Sequence, residues 1–157
     1  MKKFGLLVAL CLMTMALSYA QEPSKAGRKV DEIVKKYDGV EGVECVTVVK
    51  GRGLELVKMM FSKQFGKDFM KGVQSITIIE YSKATAEVCQ AMRKEIESFS
   101  SILTEFNLGE DKDFTQYNYI KSFASSVEDK AISDFITALE DKGDKMIMYM
   151  DGKIKVE

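Results

Sequence analysis

The chain has 157 residues, enough for one domain with its own hydrophobic core. Hydrophobic residues make up 46% and charged residues 30%, a balance typical of globular proteins. The 23 basic and 24 acidic residues give a net charge of −1, which excludes the basic surface that general nucleic-acid binding needs. There is no histidine, and this excludes Ser-His-Asp triads, Cys-His dyads and histidine-based zinc sites.

Residues 1–20 predict a secretory signal peptide. Two lysines open the segment, an uncharged apolar run follows, and Ala20 supplies the small residue that signal peptidase reads. The apolar run is shorter than the roughly 20 residues that a membrane span needs. We therefore expect cleavage before Gln21, a mature single domain over 21–157 without a transmembrane segment, and a periplasmic or envelope-associated location.

The first half of the expected mature chain alternates helical and β patterns. Apolar residues recur every three or four positions in three stretches, as on one face of a helix: 26–37, 54–65 and 84–99. Ser24 is placed to cap the first helix, and Gly66 or Gly72 to interrupt the second. Two short β-branched runs between the helices predict strands, Val43–Val49 and Val73–Tyr81.

After Ser100 the pattern changes to period two. It predicts four strands: Ser101–Leu108, Phe114–Lys121, Ile132–Leu139 and Lys145–Met150. The stretch Ala131–Leu139 leaves a helix open as the alternative. Helices and strands first, then a run of strands, indicate an α+β domain. We expect about three helices packed on one face of a mostly antiparallel sheet of about six strands.

Tyr117, Tyr119 and Lys121 are the first candidates for a binding surface. They alternate along one predicted strand, so they would share a face of the sheet. Aromatic rings beside a basic residue are how small sheets stack on bases or sugars. The acidic expected mature chain argues against a nucleic acid, which leaves a protein partner or a glycan. The alternative is an ordinary half-buried sheet surface, with rings packed and hydroxyls in water.

A methionine run near the C-terminus invites a metal interpretation. Met146, Met148 and Met150 would lie on one face of a strand, and thioethers are soft ligands suited to Cu(I). Methionine also fills gaps in hydrophobic cores. Because the run lies within a predicted strand, core packing explains it better, and a copper site stays the alternative.

Two cysteines remain once the predicted signal peptide, with Cys11, is removed. Cys45 and Cys89 can form one disulfide in an oxidising compartment. Both lie among apolar neighbours, where a free cysteine behaves as a small hydrophobic residue, so two buried thiols explain them better and the disulfide stays the alternative. There is no Cys-x-x-Cys pair to support a redox role of the thioredoxin type.

Four segments carry a recognisable pattern of hydrophobic residues and turn glycines: Tyr19-Ala20-Gln21, Val30 to Tyr37 with Glu41-Gly42-Val43, Val73 to Ile79, and Leu139 to Ile154. In these segments the chain resembles the uncharacterised domain of unknown function 4252 family, which comprises exported Gram-negative proteins. The resemblance implies a leading helix, alternating α and β elements and a final β-meander. The family has no established activity or ligand, so the resemblance implies no functional residue.

Nothing in the sequence specifies a catalytic centre or a cofactor. No motif supplies a nucleophile with its base, and no ligand spacing indicates a metal. We therefore expect no enzyme activity and no cofactor. The expected function is a binding or interaction module of the bacterial cell envelope, which contacts an envelope protein through a sheet surface or an exposed edge. A small metal-handling protein, or an enzyme that works without histidine, is the alternative.

Overall fold

The computed structural model describes residues 22–107 and 116–155, so the predicted signal peptide lies outside the described residues. The described helices are α1 (Lys25–Tyr37), α2 (Arg52–Phe65), α3 (Lys67–Lys71) and α4 (Ala86–Glu97), which runs into a 3₁₀ turn over Ser98–Ser101. The strands are β1 (Glu44–Val49), β2 (Val73–Glu80), β3 (Thr104–Glu105), β4 (Tyr119–Ala124), β5 (Ala131–Glu140) and β6 (Lys145–Lys155).

The six strands form one sheet in the order β1-β2-β6-β5-β4-β3. Every neighbouring pair is antiparallel. The long hairpin of β5 and β6 lies at its centre, and β2 and β1 extend it on one side. The predicted α+β class and the six-stranded antiparallel sheet are confirmed.

Helices cover both faces of the sheet, which corrects the expectation that they pack on one face. Helices α1 and α4 pack on one side against Ile79, Ile136 and Ile147. Helices α2 and α3 pack on the other side against Ile78 and other residues that point the opposite way, namely Ile76, Phe135, Met148 and Met150. Alternate side chains of each central strand therefore enter two separate hydrophobic clusters. We call these the α1/α4 cluster and the α2/α3 cluster.

Several boundaries differ from the sequence expectation. Strand β4 begins at Tyr119 and continues to Ala124, later than the predicted Phe114–Lys121, and Ser101–Leu108 reduces to the two residues of β3 within the described part. β5 is a strand and not the alternative helix, because nine of its ten residues are buried between helices on both faces. β6 runs five residues beyond the predicted end at Met150.

Local signals explain the helix ends. The Ser24 side chain accepts a hydrogen bond from the Gly27 N–H at 3.0 Å, so it caps α1 as predicted. Gly66 ends α2 with a φ of 82°, a left-handed conformation that glycine adopts without strain.

Candidate functional site

Strand β1 forms one edge of the sheet. It pairs with β2 from Glu44 to Val49, and in the described ranges no strand pairs with its other side. The segment from Cys45 to Val49 carries no charge and no proline, and its register with β2 shows no bulge. Charged residues, prolines and bulges are the features that normally protect an edge strand from further pairing, and β1 lacks them between Cys45 and Val49. β1 is therefore an edge that can accept another strand.

The pairing of β2 fixes which amides of β1 point outward. Tyr81, which directly follows β2, donates its N–H to the Lys145 carbonyl at 2.9 Å, on the side of β6. Because the N–H groups of successive strand residues point to opposite sides, the odd-numbered residues of β2 bond to β6 and the even-numbered residues bond to β1. The β1 partners of those even-numbered residues are Glu44, Val46 and Val48. The amides of the three residues between them therefore face outward: Cys45, Thr47 and Val49. Thr47 is exposed and Val49 is 38% exposed, so this row is accessible.

The predicted tyrosine surface lies against helix α4. Tyr117 precedes β4, whereas Tyr119 and Lys121 lie within it and share the face that meets the α1/α4 cluster. The Arg93 guanidinium lies 4.9 Å from the centre of the Tyr119 ring. Lys121 forms an ion pair with Glu105 of β3. The ring of Tyr119 and the ammonium of Lys121 thus have partners within the fold.

Tyr119 also shows the effect of that burial on a hydroxyl. Its oxygen is buried and has no hydrogen-bond partner within the described residues. Burial raises the pKa of Tyr119 to about 12, and the negative charge of Glu97 adds to the effect. The hydroxyl therefore stays protonated at neutral pH.

An ion pair between exposed Arg93 and buried Glu140 joins α4 to the end of β5. Glu140 is 2% exposed, and Arg93 Nε donates to its two oxygens at 3.0 and 3.1 Å while Nη2 contacts Oε2. The Tyr81 hydroxyl donates to Oε1 at 2.8 Å. Burial works to raise the pKa of Glu140, but the hydrogen bonds from Arg93 and Tyr81 outweigh it and lower that pKa. The carboxylate is ionised and fully engaged.

A second polar cluster lies where α1 begins over the sheet. Asp134 is 4% exposed and accepts hydrogen bonds at 2.6 Å from both the Ser24 hydroxyl and the Tyr149 hydroxyl. Asp151 lies directly opposite Asp134 in the pairing of β5 with β6. Burial, and then the charge of Asp134, raises the pKa of Asp151. The cluster ties the N-terminus of α1 to the sheet and leaves one carboxylate in an unfavourable position.

Two methionines of the run, Met148 and Met150, belong to the α2/α3 cluster. Met148 and Met150 have no exposed surface, and Met146 on the same face is partly buried. Met148 and Met150 therefore contribute to packing under α2. Whether thioethers there take Cu(I) stays a prediction.

The cysteines are both free thiols in this structure. Cys45 packs at the rim of the α1/α4 cluster, and Cys89 is buried within it. Burial raises the pKa of Cys45 to about 11, with a smaller effect from the charge of Asp38. Lys145 Nζ lies 3.2 Å from Cys89 Sγ. The Cys45–Cys89 disulfide stays the alternative, which a thiol measurement tests.

Three further features bear on ligands and membranes. Among the described residues, no group of three or more His, Cys, Asp or Glu side chains is arranged to hold a metal ion. An open depression of about 440 Å³ lies between α2 and α3, where Lys58, Lys67 and Lys71 alternate with Glu55 and Asp68. Its mixed charges favour no particular ligand.

Within residues 22–107 and 116–155, no helix is long and apolar enough to cross a bilayer.

Comparison of the chain with family models, curated proteins and solved structures finds no match. The resemblance to the domain of unknown function 4252 family stays a prediction from the residue pattern.

Proposed function

We propose that the protein is an exported, non-catalytic interaction module of the bacterial cell envelope, and that it holds an extended segment of a partner protein at the outer edge of β1. The observation that carries the proposal is this edge, with three outward amides and no protecting charge from Cys45 to Val49. Main-chain hydrogen bonds supply the affinity when an extended peptide adds to a sheet edge. The pattern of residues 1–20 supports export.

The use of the ionisable groups supports a non-catalytic role. The buried carboxylates of Glu140 and Asp134 are occupied by hydrogen bonds that join helices to the sheet. The thiol of Cys45 is held protonated by its raised pKa. Ionisable side chains with these partners stabilise the fold, and they need no substrate to satisfy them.

The test is site-specific cross-linking in living cells. A photo-reactive amino acid replaces Val49, whose amide faces outward, and in a matched strain it replaces Glu128, an exposed residue on the β4–β5 connection at the far side of the sheet. We expect a discrete cross-linked band in the envelope fraction from position 49 and none from position 128. Equal labelling at both positions, or none at either, contradicts the proposal.

A backbone variant tests the hydrogen bonds themselves. Val49→Pro removes one outward N–H, and proline is tolerated on an edge strand where that N–H faces solvent. Val49→Thr keeps the N–H and the branched side chain. We expect the proline variant to lose most of the cross-linking from a probe at Thr47 and the threonine variant to retain it, with both unfolding at similar temperatures.

A further inference from the structure

We infer that the segment which pairs with β1 is the β1 strand of a second copy of this chain, in antiparallel register about a twofold axis at Thr47. The inference rests on the proposed use of the β1 edge. It commits that edge to one partner, and the charges at its two ends select the register.

Only one symmetric register pairs the charges that flank β1. With the axis at Thr47, Glu44 lies opposite Lys50 of the partner copy at both ends of the interface. With the axis at Val46, Glu44 lies opposite Val48 of the partner copy. With the axis at Val48, Lys50 lies opposite Val46 of the partner copy. Opposite charges placed directly across two strands stabilise their pairing. Glu44 and Lys50 are both exposed, so they are accessible to a second copy.

The outward amides fit the same register. Because the amide of Thr47 faces outward, Thr47 and its symmetry mate form a hydrogen-bonded pair, and Cys45 and Val49 pair across the axis in the same way. The Thr47 hydroxyl already lies 3.0 Å from that of Thr77 on β2. Threonines on facing strands favour each other, so the threonine row continues from one copy into the next.

This pairing also explains why the edge is unprotected. An isologous contact uses the same edge of both copies, so each β1 is covered and the two six-stranded sheets become one continuous sheet. The contact closes at the dimer, since it leaves no free β1. An uncharged edge is then the interface itself and no longer an aggregation hazard.

Charge exchange provides the first test. The purified full chain is followed by sedimentation equilibrium, and we expect Glu44→Lys alone and Lys50→Glu alone each to raise the dimer dissociation constant about tenfold. The double variant restores opposite charges with the signs exchanged and should return near the wild-type value. Glu128→Lys, a charge reversal away from the edge, should leave it unchanged. Single variants that match the wild type would overturn the register.

Disulfide trapping provides the second test. In a hydrogen-bonded antiparallel pair the Cα atoms lie about 5.5 Å apart, within the range of a disulfide. Thr47→Cys should therefore give a covalent dimer on mild oxidation, with the bond mapped by mass spectrometry to two copies of the peptide that holds position 47. Glu128→Cys is the control and should give no covalent dimer.

The two proposals fail in different ways. A wild-type chain that stays monomeric up to about 1 mM, the weak end of specific association, overturns the dimer. If the probe at Val49 then captures a different envelope protein, the interaction module stands with another partner. If that probe captures nothing in cells, the role of β1 falls as well.

Discussion

Arg93 and Glu140, 47 positions apart in the sequence, form a bidentate ion pair in which the Glu140 side chain is buried and the Arg93 side chain is 48% exposed. The pair fixes α4 over the end of β5, and the same guanidinium covers the ring of Tyr119. One arginine thus orders a helix, a carboxylate and an aromatic side chain. This arrangement makes the end of the β5–β6 hairpin sensitive to the charge of Glu140.

Replacing Glu140 by glutamine should lower the free energy of unfolding by about 2 kcal/mol at pH 7, since Arg93 and Tyr81 lose an ionised acceptor while solvent still screens part of the arginine. The folded-state pKa of Glu140 is lowered, so its contribution is complete above the unfolded value of about 4.3 and is lost as pH falls through the folded value. In urea titrations, the free energies of unfolding of the wild type and the Glu140→Gln variant should converge as the pH falls into the acid range. A constant difference from pH 7 to pH 3 would contradict this assignment.

The opposite pH dependence is expected for Asp151. Its folded-state pKa is raised, so the folded protein favours the protonated carboxyl group. The ionised carboxylate therefore destabilises the fold, and this loss of stability develops as the pH rises through the unfolded-state pKa and then the folded-state pKa. Asp151→Asn removes a negative charge directly opposite Asp134. The variant should be more stable than the wild type by about 0.5–1 kcal/mol at pH 7, and no more stable below about pH 3. Thermal unfolding at the two pH values provides the measurement.

The sequence predicts those parts of the fold that depend on residues close together in the chain, and not those that depend on contacts between distant elements. Hydrophobic period two and β-branching were sufficient to place β1, β2, β5 and β6, because these signals are local. The face of the sheet that a helix covers is not encoded locally, because α1 and α2 are both amphipathic and neither pattern says on which side the helix packs. The stretch Phe135–Leu139, apolar except for Thr137, is typical of a strand buried on both faces, and it indicates a second helical layer.

The candidate sites show the same division. The chain order places Arg93 and Glu140 far apart, so no spacing predicts their contact. The strand β1 was expected, but its place at the edge follows from the pairing of β2 with both β1 and β6. The chemistry of Tyr119 makes it a binding candidate in the sequence. Its contact with Arg93 is not predictable from the sequence, because Arg93 lies on α4, far from Tyr119 in the chain.

The hydroxyls of Tyr119 and Tyr81 should respond oppositely to removal. The Tyr119 hydroxyl is buried without a hydrogen-bond partner in the described part of the chain, so Tyr119→Phe should leave stability unchanged or raise it slightly. The Tyr81 hydroxyl donates to buried Glu140, so Tyr81→Phe should lower the free energy of unfolding by about 1–2 kcal/mol. Equal effects in chemical denaturation would show that Tyr119 has a partner as well.

Alkylation distinguishes two free thiols from the alternative Cys45–Cys89 disulfide. With the pKa of Cys45 at about 11 and Cys89 buried, both should react at least about a hundredfold more slowly with iodoacetamide in the folded protein than in urea. Without any reductant, mass spectrometry should find both alkylated in urea. Alkylation only after reduction, with a mass gain of two hydrogens, would instead establish the Cys45–Cys89 bridge.

A copper titration decides between packing and metal handling for the methionine run. The thioethers of Met148 and Met150 are buried against α2, so binding Cu(I) would require that side of the core to open. We expect the folded chain to withdraw no stoichiometric Cu(I) from a competing colorimetric chelator. Met148→Leu conserves volume and should cost less than about 1.5 kcal/mol in unfolding free energy. Stoichiometric uptake that this variant abolishes would favour a metal-handling protein, because leucine packs as methionine does but offers copper no sulfur.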